Sequence, residues 1–440
     1  MSRPTASHLC YFTPFSRWLM WLAVSSVSLV STNWTTAQDW PHALGPQYNG
    51  VASSSLPASW DIDAITQHWS LDAGEGFAGA VADGGVAYLW DRHGKSLRMR
   101  AVDLSSGEVR WTTEVPGEYN GGFDPDRGPR ATPAISEGKI FAWSAGGLMF
   151  CFGANDGKVL WKQNLAETYP GDEGYFGHGS GPLVMGQTVL INHGSRKASI
   201  VGLDTMTGKV QWTSGTDQAS YAAPIAAKIG ERAVALVITR LNFLVVDPKT
   251  GEVLGATPFG KRGATVNAAS PVLLEDSKAF LNAAYGIGAK VIQLPSSTNA
   301  AQDELKTVWE SQEAFASQFT TPVLCDGLLY GTSGREDFND GQLRCVDPTT
   351  GKILWNEPNW PLAHVILCSG RLLLLTLDSR LVEVKPSGEK LEVVGEKKLA
   401  DKKTRPLPAV ADGYFVFRTI GSSDSEKPQW LCYRLAVTED

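Results

Sequence analysis

The chain has 440 residues, 46 acidic and 39 basic side chains, and a formal net charge of −7 at pH 7. This mildly acidic balance excludes a nucleic-acid partner, because such a partner requires a basic face. The 45 glycines indicate many short strands and turns, and no long helix is evident. The Lys-rich stretch at residues 385–403 is interpreted as a solvated edge rather than a binding patch.

The first predicted element is a secretory signal peptide at residues 1–37. Arg3 and Arg17 precede an apolar stretch at residues 18–30, which a small-x-small ending follows. This pattern is typical of a cleaved export signal, and the apolar core is too short for a comfortable membrane span. We expect the mature chain to begin near Gln38 and to be secreted or periplasmic. An uncleaved anchor is the alternative interpretation.

The cysteines indicate neither a lipid anchor nor an attached haem. A lipid-anchor signal needs a Cys directly after the apolar core, whereas Cys10 comes before it, and no Cys-x-x-Cys-His motif is present. We therefore expect no anchor after cleavage, although the protein can still act near a membrane. The other five cysteines lie in apolar, strand-like stretches, which favours burial, and their odd number leaves at least one unpaired. Whether Cys325 bonds to Cys345 stays open.

Residues 38–64 are assigned to a leader segment, and residues 65–440 to one repeat domain. The repeat first appears as "AVDLSSGEVRW" at 101–111 and returns as "CFGANDGKVLW", "GLDTMTGKVQW" and "CVDPTTGKILW". In each full copy an Asp begins a tight turn and a Gly takes the positive φ, so each copy predicts a turn between two outer strands. The repeat-motif residues are Ala101, Asp103, Gly107, Trp111, Gly157, Trp161, Asp204, Gly208, Trp212, Asp347, Gly351 and Trp355.

A second pattern precedes each copy and predicts an inner hairpin. It has a Pro near the start, an apolar run, a Gly or Asp turn and a second apolar run, as in "TPAISEGKIFAW" from residue 132. Two hairpins in sequence make one propeller blade. Eight such hairpins start near Ala80, Thr132, Gly181, Ala223, Ser270, Thr321, Val365 and Leu407. The sequence therefore predicts an all-β, eight-bladed β-propeller of four-stranded antiparallel blades.

The two ends of the repeat domain predict how the ring closes. The segment "WLCYRL" (430–435) has the pattern of a third strand with no fourth, and "ITQHWSL" (65–71) that of a fourth strand before the first hairpin. Pairing these N- and C-terminal strands would remove the exposed sheet edges. We therefore expect one closed, monomeric domain.

The Ala-x-Asp-x-x-x-Gly-x-x-x-Trp pattern at 101–111 resembles the repeat of the pyrroloquinoline quinone (PQQ) propeller family. That family includes the quinoprotein dehydrogenases and the propeller lipoprotein of the outer-membrane protein assembly machinery. The leader at 39–60 also resembles the opening of secreted PQQ-like propellers. The resemblance implies that each Trp wedges between neighbouring blades. Packing is therefore expected to be less regular at Gly255, which replaces a Trp, at the polar insertion 295–304, and in the seventh unit, which has no Trp.

A ring of residues just before the inner hairpins forms the candidate ligand-binding site, since loops leading into inner strands converge on the channel of a propeller. These residues are Arg130, His178, Tyr221, Asn267, Gln318, Phe319 and Arg405. The ring is polar and aromatic and contains no carboxylate. Arg130 and Arg405 could pair bidentately with the carboxylates of an anionic ligand. Two long lead-in loops, 116–130 and 167–181, are either binding loops or plain Gly-rich surface loops.

The sequence contains no motif that predicts a catalytic residue or a metal site. The seven histidines lack the His-x-x-x-His and His-Glu-x-x-His spacings of zinc sites. The segment "HGSG" at 178–181 is not a nucleophile elbow. Asp124 and Asp126 have little specificity as a carboxylate pair, and "FDPDRG" is weaker than a full calcium loop.

Two classes of function remain after these exclusions. The favoured one is a non-catalytic propeller that serves as a rigid binding platform for a protein or a small anionic ligand, as the resemblance to the assembly-factor propellers implies. The alternative, implied by the dehydrogenases, is a PQQ- and calcium-dependent alcohol or sugar dehydrogenase. The absence of adjacent cysteines and of ring carboxylates favours the first class. No cofactor is assigned, and PQQ with calcium belongs only to the alternative; carbohydrate and cell-surface roles are not separated.

Overall fold

The structure, a computed structural model, describes residues 39–53, 56, 60–117, 119–171, 174–295, 303–421 and 427–435. The chain divides into two units, Met1–Thr36 and Ala37–Asp440, and the first unit, with the predicted signal peptide, lies outside the described residues. Within the described ranges, helix is limited to a 3-10 turn at Ile62–Ala64 and to α1 (Leu165–Thr168). A search of these residues finds no helix with the length and apolar character to cross a membrane.

Eight antiparallel sheets form the eight blades of the propeller. Blades one to four contain, from the channel outward, β2 (Val81–Asp83), β3 (Val86–His93), β4 (Ser96–Asp103) and β5 (Val109–Pro116); β6 (Ala134–Ser136), β7 (Lys139–Trp143), β8 (Leu148–Gly153) and β9 (Val159–Asn164); β10 (Leu183–Met185), β11 (Thr188–Ser195), β12 (Ala198–Asp204) and β13 (Val210–Ser214); β14 (Ile225–Ile229), β15 (Arg232–Ile238), β16 (Asn242–Val246) and β17 (Val253–Pro258). The predicted all-β, four-stranded architecture is confirmed.

The other four blades complete the ring. Blades five to eight contain β18 (Val272–Leu274), β19 (Lys278–Ala283), β20 (Gly288–Gln293) and β22 (Thr307–Ser311); β23 (Val323–Cys325), β24 (Leu328–Ser333), β25 (Gln342–Val346) and β26 (Ile353–Pro358); β27 (Ala363–Cys368), β28 (Arg371–Thr376), β29 (Arg380–Lys385) and β30 (Glu392–Lys398); β31 (Ala409–Ala411), β32 (Tyr414–Arg418), β33 (Gln429–Arg434) and β1 (Thr66–Asp72). Each inner strand begins within two residues of a predicted hairpin start. The count of eight blades is confirmed.

The ring closes as predicted, by pairing of the first strand with the last. β1 lies antiparallel to β33, with Trp69 opposite Cys432 and Ser70 opposite Leu431. The eighth blade therefore takes three strands from the C-terminal end of the domain and its outer strand from the N-terminal end. Because β33 has β32 on one side and β1 on the other, it presents no open edge.

Tryptophans on outer strands connect each blade to the next one. The indole N–H of Trp161 donates to the carbonyl oxygen of Thr205 at 3.0 Å, in the outer turn of the following blade. Gly208 in that turn has φ +69°, and a Cβ there would lie 2.5 Å from the indole ring. The same bond joins Trp69 to Leu104, Trp111 to Ala154, Trp212 to Pro248, Trp309 to Pro348 and Trp355 to Ser387.

The two blades without this Trp fill the space with side chains from other segments. At Gly255 in β17, a Cβ would lie 2.4 Å from Leu305. Leu305 directly follows β21 (Asp303–Glu304), which pairs in parallel with β17 as a fifth strand of that sheet. At Gly395 in β30, the side chain of Ile62 occupies the equivalent place, 2.6 Å from a built Cβ. The residue after the insertion and a leader residue thus replace the two missing indoles. The contacts between blades at these two positions use different side chains but are still filled.

The leader closes one end of the channel. Residues 39–53, here called the plug, contact four inner hairpins in turn, through the pairs Trp40–Ala82, Pro41–Ile135, Tyr48–Val184 and Ala52–Leu367. Asp39 accepts a hydrogen bond from Gly84 N–H at 2.9 Å, in the β2–β3 turn at the end of the blade remote from the lead-in loops. Pro41 contacts Ile135 of the second blade, and Gly50 lies against Val323 of the sixth blade on the opposite side of the ring, so the plug crosses one end of the channel.

Candidate functional site

The candidate site is a cavity of about 780 Å³, here called the cup, whose walls come from the lead-in loops. Ala43 and Leu44 of the plug line it together with these loops. The structure brings five of the seven predicted ring residues to its wall: Arg130, Tyr221, Gln318, Phe319 and Arg405. Their role in binding stays a prediction, but their shared location follows from the position each occupies before an inner strand.

The two remaining ring residues lie elsewhere. His178 lines a smaller neighbouring cavity, where its ring stacks on that of His193 with 5.1 Å between centroids. Asn267 is buried, and its side-chain amide donates to the carbonyl oxygen of Arg240 at 3.2 Å. Asn267 therefore braces the loop of a neighbouring blade and does not line the cup.

Both predicted arginines already have acidic partners within the chain. Arg130 contacts Asp126 at 2.7 Å, and Arg405 contacts Glu336 at 2.8 Å. Both guanidinium groups also lie over the ring of Phe77, with the carbon atoms 5.4 and 5.1 Å from its centroid. This cation–π contact adds to the ion pairs. A ligand carboxylate would therefore have to compete with these ion pairs, and bidentate binding by the two arginines stays a prediction.

The seven ring residues include no carboxylate, but the inference that the channel therefore has none needs correction. Asp124, Glu336 and Asp337 line the cup. Asp124 comes from the first long lead-in loop, while Glu336 and Asp337 come from the β24–β25 loop, which the ring hypothesis did not consider. A signal for that loop was present: "GREDFNDG" is a polar segment between two apolar runs and is too long for a two-residue hairpin. Loops from both sides of an inner hairpin therefore reach the cup.

Two aromatic side chains at or near the cup are exposed to solvent: Phe123 lines it, and Phe338 directly follows Asp337, which lines it. Phe123 is 82% exposed and Phe338 is 66% exposed. Phe123 packs edge-to-face on Phe176 with 6.0 Å between centroids, and Arg335 lies 4.3 Å from the ring centroids of both Phe338 and Tyr285. We call Phe123 and Phe338 the rim aromatics. Aromatic and Arg side chains in such a cluster are the residue types that dominate binding energy at protein interfaces.

Comparison of the sequence with known proteins identifies a family. The model of the family described as outer membrane protein assembly factor BamB matches residues 96–357. The chain belongs to this family. BamB of Escherichia coli (strain K12) is 23% identical over 291 residues, which cover 63% of this chain and 68% of that protein. A quinone-dependent 1-butanol dehydrogenase of Thauera butanivorans is 25% identical over 207 residues, 46% of this chain and 29% of that enzyme.

Solved structures support the fold of this BamB-family chain and nothing beyond it. BamB from Moraxella catarrhalis aligns with a TM-score of 0.61 at 13% identity, over 86% of this chain and 99% of that one. A europium-containing methanol dehydrogenase aligns with a TM-score of 0.68 at 12% identity, over 90% and 98%. Since BamB and a methanol dehydrogenase share the propeller, the fold alone does not decide the function.

The structure shows the state of the cysteines in this family member and whether its side chains cluster as metal ligands. Cys151, Cys325, Cys345, Cys368 and Cys432 are buried free thiols, which answers the question left open for Cys325 and Cys345. Burial raises the pKa of both these thiols to about 11, so they stay protonated and unreactive at neutral pH. A search of the described residues finds no cluster of three or more His, Cys, Asp or Glu side chains that could hold a metal ion.

The buried histidine on the cup wall gives the protein a pH-dependent stability. His364 Nε2 lies 2.7 Å from the carbonyl oxygen of Arg405, and burial lowers its pKa from 6.5 to about 4. Below pH 6.5 the unfolded chain takes up a proton that the folded chain does not, so acidification favours unfolding. We expect this one group to cost about 2 kcal/mol of unfolding free energy between pH 7 and pH 5.

Substitution of His364 measures this contribution. The His364→Gln variant is expected to lose less unfolding free energy than the wild type when urea titrations at pH 7 and pH 5 are compared. His68 is exposed, and His68→Gln serves as the control for a histidine-to-glutamine substitution at the surface. An equal pH dependence in the wild type and His364→Gln would contradict the prediction.

Proposed function

We propose that the protein is a non-catalytic, secreted or periplasmic platform that binds a protein partner at the mouth of the cup. The observation that carries the proposal is the exposure of the rim aromatics, Phe123 and Phe338, beside a cavity whose arginines are neutralised within the chain. The relatives named as outer membrane protein assembly factors suggest that this partner belongs to outer-membrane protein assembly.

The rim has the physical character of an interface rather than of a reaction centre. Burying the exposed rings of both Phe side chains removes apolar surface from water, at about 25 cal/mol per Å². Arg335 lies 4.3 Å from the ring centroids of both Tyr285 and Phe338 and pairs with Asp337, so it holds the exposed Phe338 ring in place for a partner. The propeller holds these groups on a rigid frame, so that little conformational entropy is lost when a partner docks.

The residues of the cup do not fit a calcium–quinone cofactor. Calcium takes about six to eight oxygen ligands, whereas the described carboxylates on the cup wall already have other contacts. Glu336 pairs with Arg405, Asp337 pairs with Arg335, and Asp124 accepts a hydrogen bond from the Asp126 N–H. Recruiting them as ligands would leave buried or half-buried arginines without partners, which costs free energy. This arrangement favours the platform over the dehydrogenase.

Removal of the rim aromatics tests the platform proposal. The Phe123→Ser, Phe338→Ser double variant is expected to recover at least about tenfold less partner than the wild type from a cell-envelope extract, because interface aromatics often contribute 2 kcal/mol or more each. Met206 and Leu160 are 62% and 50% exposed, on an outer turn and an outer strand. The Met206→Ser, Leu160→Ser variant is therefore the matched control.

Two outcomes would contradict the proposal. Equal recovery of the same proteins by the rim variant and the wild type would show that partners bind elsewhere. Calcium-dependent, stoichiometric binding of PQQ in a calorimetric titration of residues 38–440 would instead support the dehydrogenase. Absence of heat at high PQQ concentration, with loss of partner recovery in the rim variant, supports the platform.

A further inference from the structure

A second, smaller cavity lies beside the cup, among the lead-in loops of blades three, four and five. Its volume is about 330 Å³, and it shares Tyr175 and Tyr221 with the cup. We call it the side pocket. Its other polar lining residues include His178, Gln218, Arg240 and Arg262, and no Asp or Glu occurs among the described residues that line it. The side pocket therefore differs in charge from the cup, where acidic groups balance the arginines.

Arg240 supplies a buried positive charge to the side pocket. Its side chain is only 8% exposed, and its terminal nitrogens donate to the carbonyl oxygens of Thr265 and Gly263. Its guanidinium also lies 5.7 Å from the ring centroid of Tyr175. Carbonyl oxygens orient a guanidinium but do not neutralise it, and Arg240 forms no ion pair with any carboxylate in the described part of the chain. A buried charge without a counter-ion is costly, so an anion bound beside it is favoured.

His178 and Tyr221 add neutral hydrogen-bond donors to the same cavity. His178 is 4% exposed, and its ring forms no hydrogen bond to any residue that the structure describes. Burial lowers its pKa to about 3, so the ring is neutral and keeps one N–H to donate. The hydroxyl oxygen of Tyr221 accepts from the Phe176 N–H at 2.9 Å, which leaves the hydroxyl proton available. Three residues with different donor groups thus line a cavity with no described acidic side chain.

We propose that the side pocket binds a carboxylate, presented by an acidic side chain of the partner segment that docks in the cup. One buried guanidinium with neutral donors matches a single negative charge and supports short, charge-assisted hydrogen bonds. Arg262 is exposed and adds a second positive charge at the pocket's edge. The pocket and the cup share Tyr175 and Tyr221, so a carboxylate bound in the pocket lies next to a segment docked in the cup. The source of the carboxylate rests on the proposed function, whereas its chemistry does not.

Small capped amino acids test the side pocket without any partner. The full mature chain is titrated by calorimetry with N-acetyl-glutamate amide, with its glutamine analogue, and with N-acetyl-alanine, whose carboxylate is at the chain end. The glutamate compound is expected to bind at least about tenfold more tightly than the other two. Similar affinities for the glutamate and glutamine compounds would overturn the proposal, and preference for N-acetyl-alanine would overturn the side-chain source.

Two substitutions locate the binding. Arg240→Gln is expected to lower the affinity for the glutamate compound at least about tenfold. Tyr221→Phe, which keeps the ring, is expected to lower it several-fold. Arg344 is the matched control, since backbone carbonyls of Glu313 and Ala314 likewise hold its guanidinium, on another blade; Arg344→Gln should bind as the wild type does. Unchanged affinity in both Arg240→Gln and Tyr221→Phe would overturn the site. Since no partner is used, failure of the platform proposal leaves this result standing.

Discussion

A chain that begins at residue 73 is expected to be recovered only as aggregate. It lacks β1, so the eighth blade keeps three strands and β33 presents a full row of unpaired backbone groups. Such an edge is a template for pairing with another chain. The same truncation removes Trp69, whose indole N–H donates to Leu104 across the joint between the last and first blades. The ring therefore loses both its sheet closure and its wedge at one joint.

A second truncation separates closure from the plug. A chain that begins at residue 61 loses residues 39–53 but keeps β1 and also Ile62, which packs at Gly395. We expect this chain to be monomeric by size-exclusion chromatography and to keep the β-sheet circular dichroism signal, with a lower melting temperature. A soluble, monomeric and folded chain from residue 73 would show that the eighth blade does not need its outer strand.

The Trp161→Ala variant is expected to lose about 3–5 kcal/mol of unfolding free energy, the range typical of a large aromatic side chain removed from a core. Trp161 is 8% exposed and lies against Phe141, with 6.0 Å between ring centroids. It also covers Gly208 of the next blade and donates to Thr205. Truncation leaves a cavity between two blades, together with a backbone carbonyl that has lost its donor. Urea unfolding measures the loss, and it is followed by the far-UV circular dichroism of the β-sheet because tryptophan fluorescence changes with the substitution itself.

Two further variants show whether the loss comes from filling space or from the hydrogen bond. Trp161→Phe keeps most of the ring volume and is expected to cost about 1 kcal/mol, the typical net value of one hydrogen bond. Trp355 forms the same type of bond to Ser387 but is only half-buried, so Trp355→Ala should cost less than Trp161→Ala. Equal losses of unfolding free energy at Trp161 and Trp355 would contradict the prediction that the stabilisation by each Trp depends on how deeply it is buried.

The fold could be predicted because its rules are local and repeated. Asp204 and Gly208 lie four residues apart and determine one turn by themselves, as do Asp347 and Gly351. The closure could be predicted because a third strand without a fourth can only be completed from elsewhere. In contrast, Leu305 and Ile62, which take the place of missing tryptophans, come from segments with no repeat pattern. Nothing in their sequence indicates which glycine they cover.

The site was predictable in position but not in charge. A residue just before an inner strand must lie near the channel, and five of the seven candidates do line the cup. The direction of a side chain depends on the path of its loop, and this is why His178 and Asn267 lie elsewhere. Arg130 and Asp126 are four residues apart, but Arg405 and Glu336 are 69 residues apart and meet only because the ring brings their blades together. Such long-range pairs decide which charges stay available to a ligand.

The plug has a kinetic consequence for anything that occupies the cup. A channel open at both ends would allow one molecule to be pushed out as another follows it from behind. With residues 39–53 across one end, we expect an occupant to enter and leave by the other end, so that the resident molecule dissociates before the next one binds. The turnover of occupants is therefore limited by how fast the resident molecule dissociates, whatever the concentration of the next one.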